Sequence, residues 1–277
     1  MDQPHPVQRR IINLNSGNFA VVVSINRPDN LNCFNTEVLC LLSKIFAEIA
    51  ESIDNDAEAP SAVIFTGEGN SFCAGADLSN PPNPIYQSSD LPEYLRNNPV
   101  YQMGRIGIPI IGALKGNVIT GGMELALSCD ILVGDKTTKF RDTHVKFGLA
   151  PCWGLSQKLQ RRVGPGRAKI ISLSAKPIDA DLAIQWGLLD ELVHDGRSSL
   201  EHAINIANTI AKQDKTMVRR YKRALEEGGS MDLASGLRRE RELGIAHYIE
   251  VLNDGKTFNS AKAYIVDEKR PRNKSKL

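Results

Sequence analysis

The chain has 277 residues, of which 42% are hydrophobic and 24% charged, which is typical of a globular protein with a substantial core. A formal net charge of +2 gives no reason to expect a nucleic-acid partner, and no apolar run is long enough for membrane insertion. The five cysteines and five histidines show no paired ligand spacing, so we expect reduced thiols and no metal site.

Strands and helices alternate along the first half of the chain. Short β-branched and apolar runs predict strands at residues 21–25, 62–66, 108–114 and 131–133. Apolar residues at helical spacing predict helices at residues 36–52 and 121–128. This alternation indicates parallel strand–helix–strand units and an α/β fold, in which ligands collect at the carboxyl ends of the strands.

The second half of the chain is mostly helical in its pattern. Helices are predicted at residues 155–163, 166–173, 181–186, 200–211, 216–226 and 233–253. We therefore predict an α/β core over residues 1–195, followed by a C-terminal helical segment over residues 196–277.

The segment at residues 116–130, GNVITGGMELALSCD, places one acid beside a potential anion site. Gly121 and Gly122 end a loop, and a helix-forming run follows at once. N–H groups at a helix N-terminus are unpaired and carry partial positive charge, and glycines let a ligand approach them closely. Glu124, on the first turn, can therefore act as an acid or base on a bound molecule. The alternative is a helix cap with a dipole-stabilised glutamate.

A second glycine-containing stretch, SFCAGADL at residues 71–78, follows the predicted strand at residues 62–66. Together with Asn26-Arg27-Pro28, Leu31-Asn32 and the GGMELALSCDI run, it resembles the crotonase family of enoyl-CoA hydratases and isomerases. The resemblance covers residues 21–193 and implies a crotonase-like core, a spiral of ββα units, with the C-terminal helices serving oligomerisation.

The resemblance also implies roles for individual residues. The main-chain N–H groups of Ala76 and Gly121 match the oxyanion hole that holds the thioester oxygen of an acyl-CoA. Substrate and CoA contacts are implied for Ala74, Gly75, Asp77, Leu78, Gly122 and Trp153. Coenzyme A is then part of the substrate and no separate cofactor is expected. Relatives of this kind assemble as trimers and hexamers, so a homotrimer or hexamer is expected here.

Glu124 matches one of the two catalytic glutamates of the family's hydratases, but the second is missing. Alignment on Phe140 places His144 where that second glutamate would stand. Alignment on Gly148 places Cys152 at the position of the acid that the isomerases use. His144 titrates near neutrality and could relay a proton, or it could be a neutral wall residue. Cys152 is a second possible relay, although an apolar filler is the simpler interpretation.

These residues lead to one expected activity and two alternatives. We expect the chain to add water to a 2-trans-enoyl-CoA, giving a 3-hydroxyacyl-CoA, with Glu124 and His144 as catalytic groups. A Δ3,Δ2-enoyl-CoA isomerase is the first alternative, because one carboxylate could move the proton from C2 to C4. A CoA-ester-binding protein without this chemistry is the second, because the second glutamate is absent.

The chain ends in Ser275, Lys276 and Leu277, the tripeptide that serves as a peroxisomal address. It follows a polar, basic stretch that should be accessible to a receptor. We therefore expect a peroxisomal protein of β-oxidation whose partners include the peroxisomal import receptor.

Overall fold

A six-stranded sheet forms the centre of the chain, in the order β1-β2-β3-β4-β6-β9. Only β1 is antiparallel to its neighbour; the other strands run parallel. The strands are β1 Val7–Asn13, β2 Phe19–Ile25, β3 Val63–Gly67, β4 Ile110–Leu114, β6 Ile131–Asp135 and β9 Glu191–Val193. The computed structural model describes residues 5–53, 59–82, 95–194 and 196–254.

The central strands are apolar because both faces of the sheet are covered. In β2, Val21 and Val23 belong to one buried cluster, whereas Ala20 and Val22 belong to another on the opposite face. This alternation follows from the two-residue period of a strand, and burial on both faces explains the continuous apolar run. The sequence prediction of parallel strands in an α/β fold is therefore confirmed.

A small second sheet of three strands lies in the part of the chain that carries the candidate site. It has the order β5-β7-β8, with β5 parallel to β7 and β7 antiparallel to β8. Its strands are β5 Asn117–Ile119, β7 Lys139–Arg141 and β8 Ile178–Asp179. Two or three residues are too few for a periodic signal, so the sequence did not predict them.

Ten α-helices and one short 3₁₀ helix, Pro28–Asn30, complete the described part of the chain. The α-helices are α1 Thr36–Ser52, α2 Pro99–Met103, α3 Gly121–Ala126, α4 His144–Phe147, α5 Leu155–Val163, α6 Pro165–Ser174, α7 Ala180–Gln185, α8 Ser199–Ile210, α9 Lys215–Gly229 and α10 Leu233–Asp254. The Asn35 side chain caps α1, and a Ser198–Glu201 capping box starts α8, so both helices begin where their caps lie. None of these helices is long and apolar enough to cross a bilayer.

The chain divides into two compact units, Met1–Arg219 and Arg220–Leu277. The first unit extends past residue 195, where the sequence prediction ended the core, because α8 packs on the main sheet. Ala203 and Ala207 are fully buried in the same cluster as Val22 of β2. Small side chains on this face allow the helix to approach the strands closely.

The second unit is a helix pair, formed by the end of α9 and by α10. A Cβ on Gly236 would lie 3.2 Å from the Gly228 carbonyl oxygen, and Arg239 forms ion pairs with Glu227 and Glu242. Several large apolar side chains of this unit are exposed, among them Leu225, Leu233, Leu237, Tyr248 and Ile249.

The loop after β2 is held by a buried asparagine, Asn32. Its side chain accepts a hydrogen bond from the Arg27 N–H and donates to the carbonyl oxygens of Glu68 and Ser71. Asn32 has φ of +57°, a conformation that asparagine tolerates better than most residues. It therefore ties the β2 loop to the loop after β3.

Candidate active site

Two loops meet at the start of α3, where both glycines are required by packing. A Cβ atom on Gly121 would lie 2.4 Å from Cζ of Phe34, and one on Gly122 would lie 2.1 Å from the carbonyl oxygen of Cys73. Both distances are far below van der Waals contact. The glycine pair therefore lets the N-terminus of α3 touch the loop that follows β3.

The main chain around Ala76 is oriented by an isolated parallel bridge to Phe34. The Phe34 N–H donates to the Gly75 carbonyl oxygen, and the Asp77 N–H donates to the Phe34 carbonyl oxygen, both at 2.9 Å. In such a bridge the N–H of the residue between, Ala76, points away from its partner strand. No described residue accepts a hydrogen bond from it.

The Ala76 loop and the α3 N-terminus come within contact distance. A Cβ on Gly75, whose φ is +96°, would lie 3.8 Å from the Gly121 nitrogen. As an N-terminal helix residue, Gly121 has no intrahelical acceptor for its N–H. The structure thus brings together the two residues whose N–H groups were predicted to bind a thioester oxygen.

Glu124 is buried with its side chain directed toward the start of α5. Its Oε1 accepts hydrogen bonds from the Trp153 N–H at 2.9 Å and the Leu155 N–H at 3.4 Å. Burial raises the pKa of Glu124, while the Trp153 hydrogen bond and the charge of His144 partly offset that effect. No described residue donates to Oε2. Burial therefore makes Glu124 easier to protonate than an exposed glutamate, as a group that takes up and returns a proton requires.

His144 lies at the start of α4, and its ring is bonded to Asp142. Asp142 Oδ1 is 2.8 Å from Nδ1 of His144 and accepts the His144 N–H at 3.0 Å. Burial alone would lower the pKa of His144, but the Asp142 hydrogen bond and the charges of Asp142 and Glu124 raise it overall. His144 and Glu124 therefore influence each other's charge.

Thr120, just before the glycine pair, connects α3 to the His144 segment. Its Oγ1 accepts the Thr143 N–H at 3.0 Å and lies 2.5 Å from the Thr143 hydroxyl oxygen. Thr120 has φ of +49° and ψ of −107°, a conformation that costs about 1–3 kcal/mol for a residue with a side chain. The two contacts to Thr143 help to offset that cost.

Lys158 of α5 contributes a cation behind Glu124. Its Nζ donates to the Ser128 Oγ at 2.8 Å, and that hydroxyl donates to the main-chain oxygen of Glu124. Burial lowers the pKa of Lys158 despite nearby negative charge. Neither Lys158 nor Thr120 had a sequence signal that could have identified it, since each is brought here by tertiary contacts.

The remaining predicted residues have different environments. Gly75 is buried, Ala74 is half-buried and Leu78 is exposed. The Asp77 carboxylate pairs with Arg27 at 2.9 Å, and the Ser79 hydroxyl, followed by Arg27, lowers the pKa of Asp77 to about 2. Because that side chain is occupied, only the main chain of Asp77 remains for the predicted CoA contact.

Trp153 and Cys152 differ although they are adjacent. Trp153 is buried and packs on Phe34 with ring centroids 5.4 Å apart, and no described residue forms a hydrogen bond with its buried Nε1. Cys152 is exposed. The targeting residues Ser275, Lys276 and Leu277 lie outside the described residues. Within the described ranges, no group of three or more potential metal ligands occurs.

Comparisons with known proteins identify one family. A family model described as enoyl-CoA hydratase/isomerase matches residues 16–271. A protein of Arabidopsis thaliana named probable enoyl-CoA hydratase 1, peroxisomal, is 39% identical over 95% of this chain and 94% of its own length. A short-chain-enoyl-CoA hydratase of Clostridium acetobutylicum is 34% identical over 80% of this chain and 83% of its own.

Solved structures agree with these sequence relatives. The crystal structure of an enoyl-CoA hydratase from Bacillus anthracis matches 91% of this chain and 98% of its own, with a TM-score of 0.74 and 27% identity. The arrangement of strands and helices described above is therefore the crotonase-like arrangement expected from the sequence.

Proposed function

The chain belongs to the enoyl-CoA hydratase/isomerase family, and from that premise we propose that it adds water to a 2-trans-enoyl-CoA to give a 3-hydroxyacyl-CoA. The observation that carries the proposal is the buried Glu124 carboxylate, with one oxygen fixed by two N–H groups and the other without a described partner. The Arabidopsis and Clostridium relatives, both named as enoyl-CoA hydratases, support hydration over other chemistry of the family.

In this proposal the thioester oxygen binds the N–H groups of Ala76 and Gly121. When a nucleophile adds at C3, negative charge develops on that oxygen as an enolate. Fixed donors stabilise the enolate more than the neutral thioester, and losing one typically costs about 3 kcal/mol of activation free energy. The CoA arm runs along Ala74, Gly75, Leu78 and Gly122 and the main chain of Asp77, and Trp153 shapes the acyl pocket.

Glu124 acts on the water. Its ionised carboxylate takes a proton from a water molecule whose oxygen bonds to C3, and the C2–C3 π electrons move onto the thioester oxygen. The enolate then returns its electrons to C2, which takes a proton from Nε2 of His144. The proton held by Glu124 returns to His144 through solvent, which restores both groups. The step starts from ionised Glu124 and protonated His144. Burial raises the pKa of Glu124 and the charge of His144 opposes that effect, while the charge of Glu124 helps to raise the pKa of His144.

Cys152 is the other possible relay. The Cys152 side chain is exposed, whereas His144 is buried and the charge of Glu124 raises its pKa. This contrast favours His144 as the proton donor. The reaction needs no cofactor beyond the coenzyme A of its substrate.

The central test replaces Glu124 with glutamine, which keeps the shape but is not basic. We expect Glu124→Gln to lower kcat for crotonyl-CoA by at least about 100-fold while the affinity for saturated butyryl-CoA, measured by calorimetry, stays within about twofold. Glu37→Gln is the matched control, because Glu37 is also a first-turn glutamate but lies exposed on α1. Wild-type turnover by Glu124→Gln would refute the proposal.

The same assay separates the alternatives. A hydratase consumes the conjugated absorbance of crotonyl-CoA, whereas an isomerase creates that absorbance from a 3-enoyl-CoA. A protein that binds butyryl-CoA but changes neither substrate would be a CoA-ester-binding member without this chemistry.

We also propose a peroxisomal homo-oligomer that functions in β-oxidation. The name of the Arabidopsis relative and the tripeptide ending at Leu277 support a peroxisomal location and binding by the import receptor. Exposed apolar side chains of α10, such as Leu237 and Ile249, support a trimer or hexamer. Light scattering measures the assembly. A fluorescent fusion that keeps the native C-terminus should reach peroxisomes, and deletion of Leu277 should leave it in the cytosol.

A further inference from the structure

Asp142 is bonded to His144 but has no part in the proton transfers of the proposed reaction. Asp142 is buried, and a buried carboxylate is stable only when it is paired and hydrogen-bonded. A single oxygen, Oδ1, receives both the main-chain N–H of His144 and its ring Nδ1. The ring is therefore held both through its own main chain and through one of its nitrogens.

The chemistry of this contact decides which ring nitrogen carries the exchangeable proton. An ionised carboxylate only accepts hydrogen bonds, so the nitrogen that faces it must be protonated. The hydrogen bonds from His144 and from the Ser172 hydroxyl lower the pKa of Asp142 against the opposing effect of burial, which keeps Asp142 ionised. Nδ1 is then permanently N–H, and Nε2 is the only ring atom that can gain or lose a proton.

We propose that Asp142 is a positioning residue for the reaction, whose carboxylate holds His144 in the orientation and tautomer that leave Nε2 free to exchange a proton with the substrate. This proposal rests on the proposed function, because the role of Nε2 is defined by hydration.

The segment that carries the pair is fixed independently of Asp142. Thr143, between the two residues, is bonded through its N–H and its hydroxyl to Thr120, and the Thr120 N–H donates to the Arg141 carbonyl oxygen at 2.8 Å. Asp142→Asn keeps a side-chain oxygen that can accept the His144 main-chain N–H but removes the negative charge, so it should loosen the ring of His144 while the bonds of Thr143 hold the main chain in place. That separation makes a positioning role testable apart from folding.

Two charged groups act on His144 among the described residues, Asp142 and Glu124. Both raise the pKa of His144, so the proton-donating form persists until the pH rises through that pKa. Replacing Asp142 with asparagine removes one of the two charges, which must move the loss of the donor to lower pH.

The first experiment is the pH profile of kcat for crotonyl-CoA. We expect Asp142→Asn to lower kcat by about 10- to 100-fold at neutral pH, with KM within about twofold, and to shift the alkaline limb down by about one pH unit. Asp179→Asn is the control, since it removes a carboxylate that caps α7 and should leave the profile unchanged. A loss of kcat that is the same at every pH, with no shift of the alkaline limb, would contradict the proposal.

The second experiment is a double-mutant cycle with His144→Gln. If Asp142 acts through His144, Asp142→Asn should cause no further loss of kcat in the His144→Gln background. An equal loss in both backgrounds would show that Asp142 acts by another route.

The third experiment does not depend on turnover. Nitrogen-15 NMR of labelled histidine should show a protonated Nδ1 for His144 in the native protein and a tautomer mixture in Asp142→Asn. Ring-nitrogen shifts that do not respond to Asp142→Asn would refute the positioning role. Wild-type turnover by Glu124→Gln would refute the proposed function alone, whereas the ring-nitrogen shifts report on Asp142 without turnover, so the two failures are distinguishable.

Discussion

The two glycines at the start of α3 should respond differently to a second mutation, although they are adjacent. A Cβ on Gly121 would lie 2.4 Å from the ring of Phe34, so the ring must move by about 1 Å to reach ordinary contact. Overpacking of this kind costs about 1–3 kcal/mol, which lowers Tm by about 3–10 °C in a chain of this size. A Cβ on Gly122 meets the carbonyl oxygen of Cys73 at 2.1 Å, and main chain cannot rotate away.

We therefore expect Phe34→Leu to rescue one variant and not the other. In the Phe34→Leu background, Gly121→Ala should cost at least about 1 kcal/mol less than in the native background, because the obstructing ring is gone. The cost of Gly122→Ala should be the same in both. Gly107→Ala, whose Cβ would meet nothing within 4 Å, is the control for the substitution itself. Thermal melts followed by circular dichroism measure all of these variants. An equal cost of Gly121→Ala in both backgrounds would refute the steric argument.

Three further predictions concern stability. Asn32→Ala should lower the free energy of unfolding in urea by about 2–4 kcal/mol, because the Arg27 N–H and the carbonyl oxygens of Glu68 and Ser71 lose the buried side chain that pairs with them. Asn30→Ala, at an exposed position, should change it by less than about 0.5 kcal/mol. Asp77→Asn should destabilise the protein at pH 7, because the lowered pKa of Asp77 stabilises the fold at pH values above about 4, the pKa of an aspartate in the unfolded chain. The difference in free energy of unfolding between this variant and wild type should shrink as the pH falls from 4 towards 2. A difference that stays constant over this range would exclude the linkage. Ser198→Ala should lower Tm by removing the capping box of α8, at a cost of about 1 kcal/mol, and an unchanged melt would show that the cap contributes nothing.

Long elements with a strong apolar period were predicted closely from the sequence. The helix over residues 36–52 and the helix over residues 155–163 have the predicted bounds, and β2 begins only two residues before its prediction. The first compact unit continues to Arg219 because the alanine face of α8 packs on the main sheet, a contact that the helical period of α8 does not reveal. The short strands β5, β7 and β8 exist only because neighbouring main chains pair with them.

The candidate site was likewise predicted from the sequence only where its residues are close along the chain. Gly121, Gly122 and Glu124 lie within four consecutive residues, so their shared place on one helix turn can be predicted from the sequence. Ala76 lies more than forty residues earlier, and its place beside them was implied only by the family resemblance until the loops were seen in contact.

What the sequence alone determined is local: the strand and helix periods, the glycine pair and the acid three residues after Gly121. The correspondence of His144 with the second glutamate of the hydratases was implied by the family resemblance. Tertiary structure decided that the Glu124 oxygen meets two N–H groups at the start of α5, and that His144 is paired with Asp142 rather than facing solvent. The reason is physical. Secondary structure follows from neighbours along the chain, whereas burial and charge, which set the pKa of a carboxyl or an imidazole, depend on groups that only folding brings together.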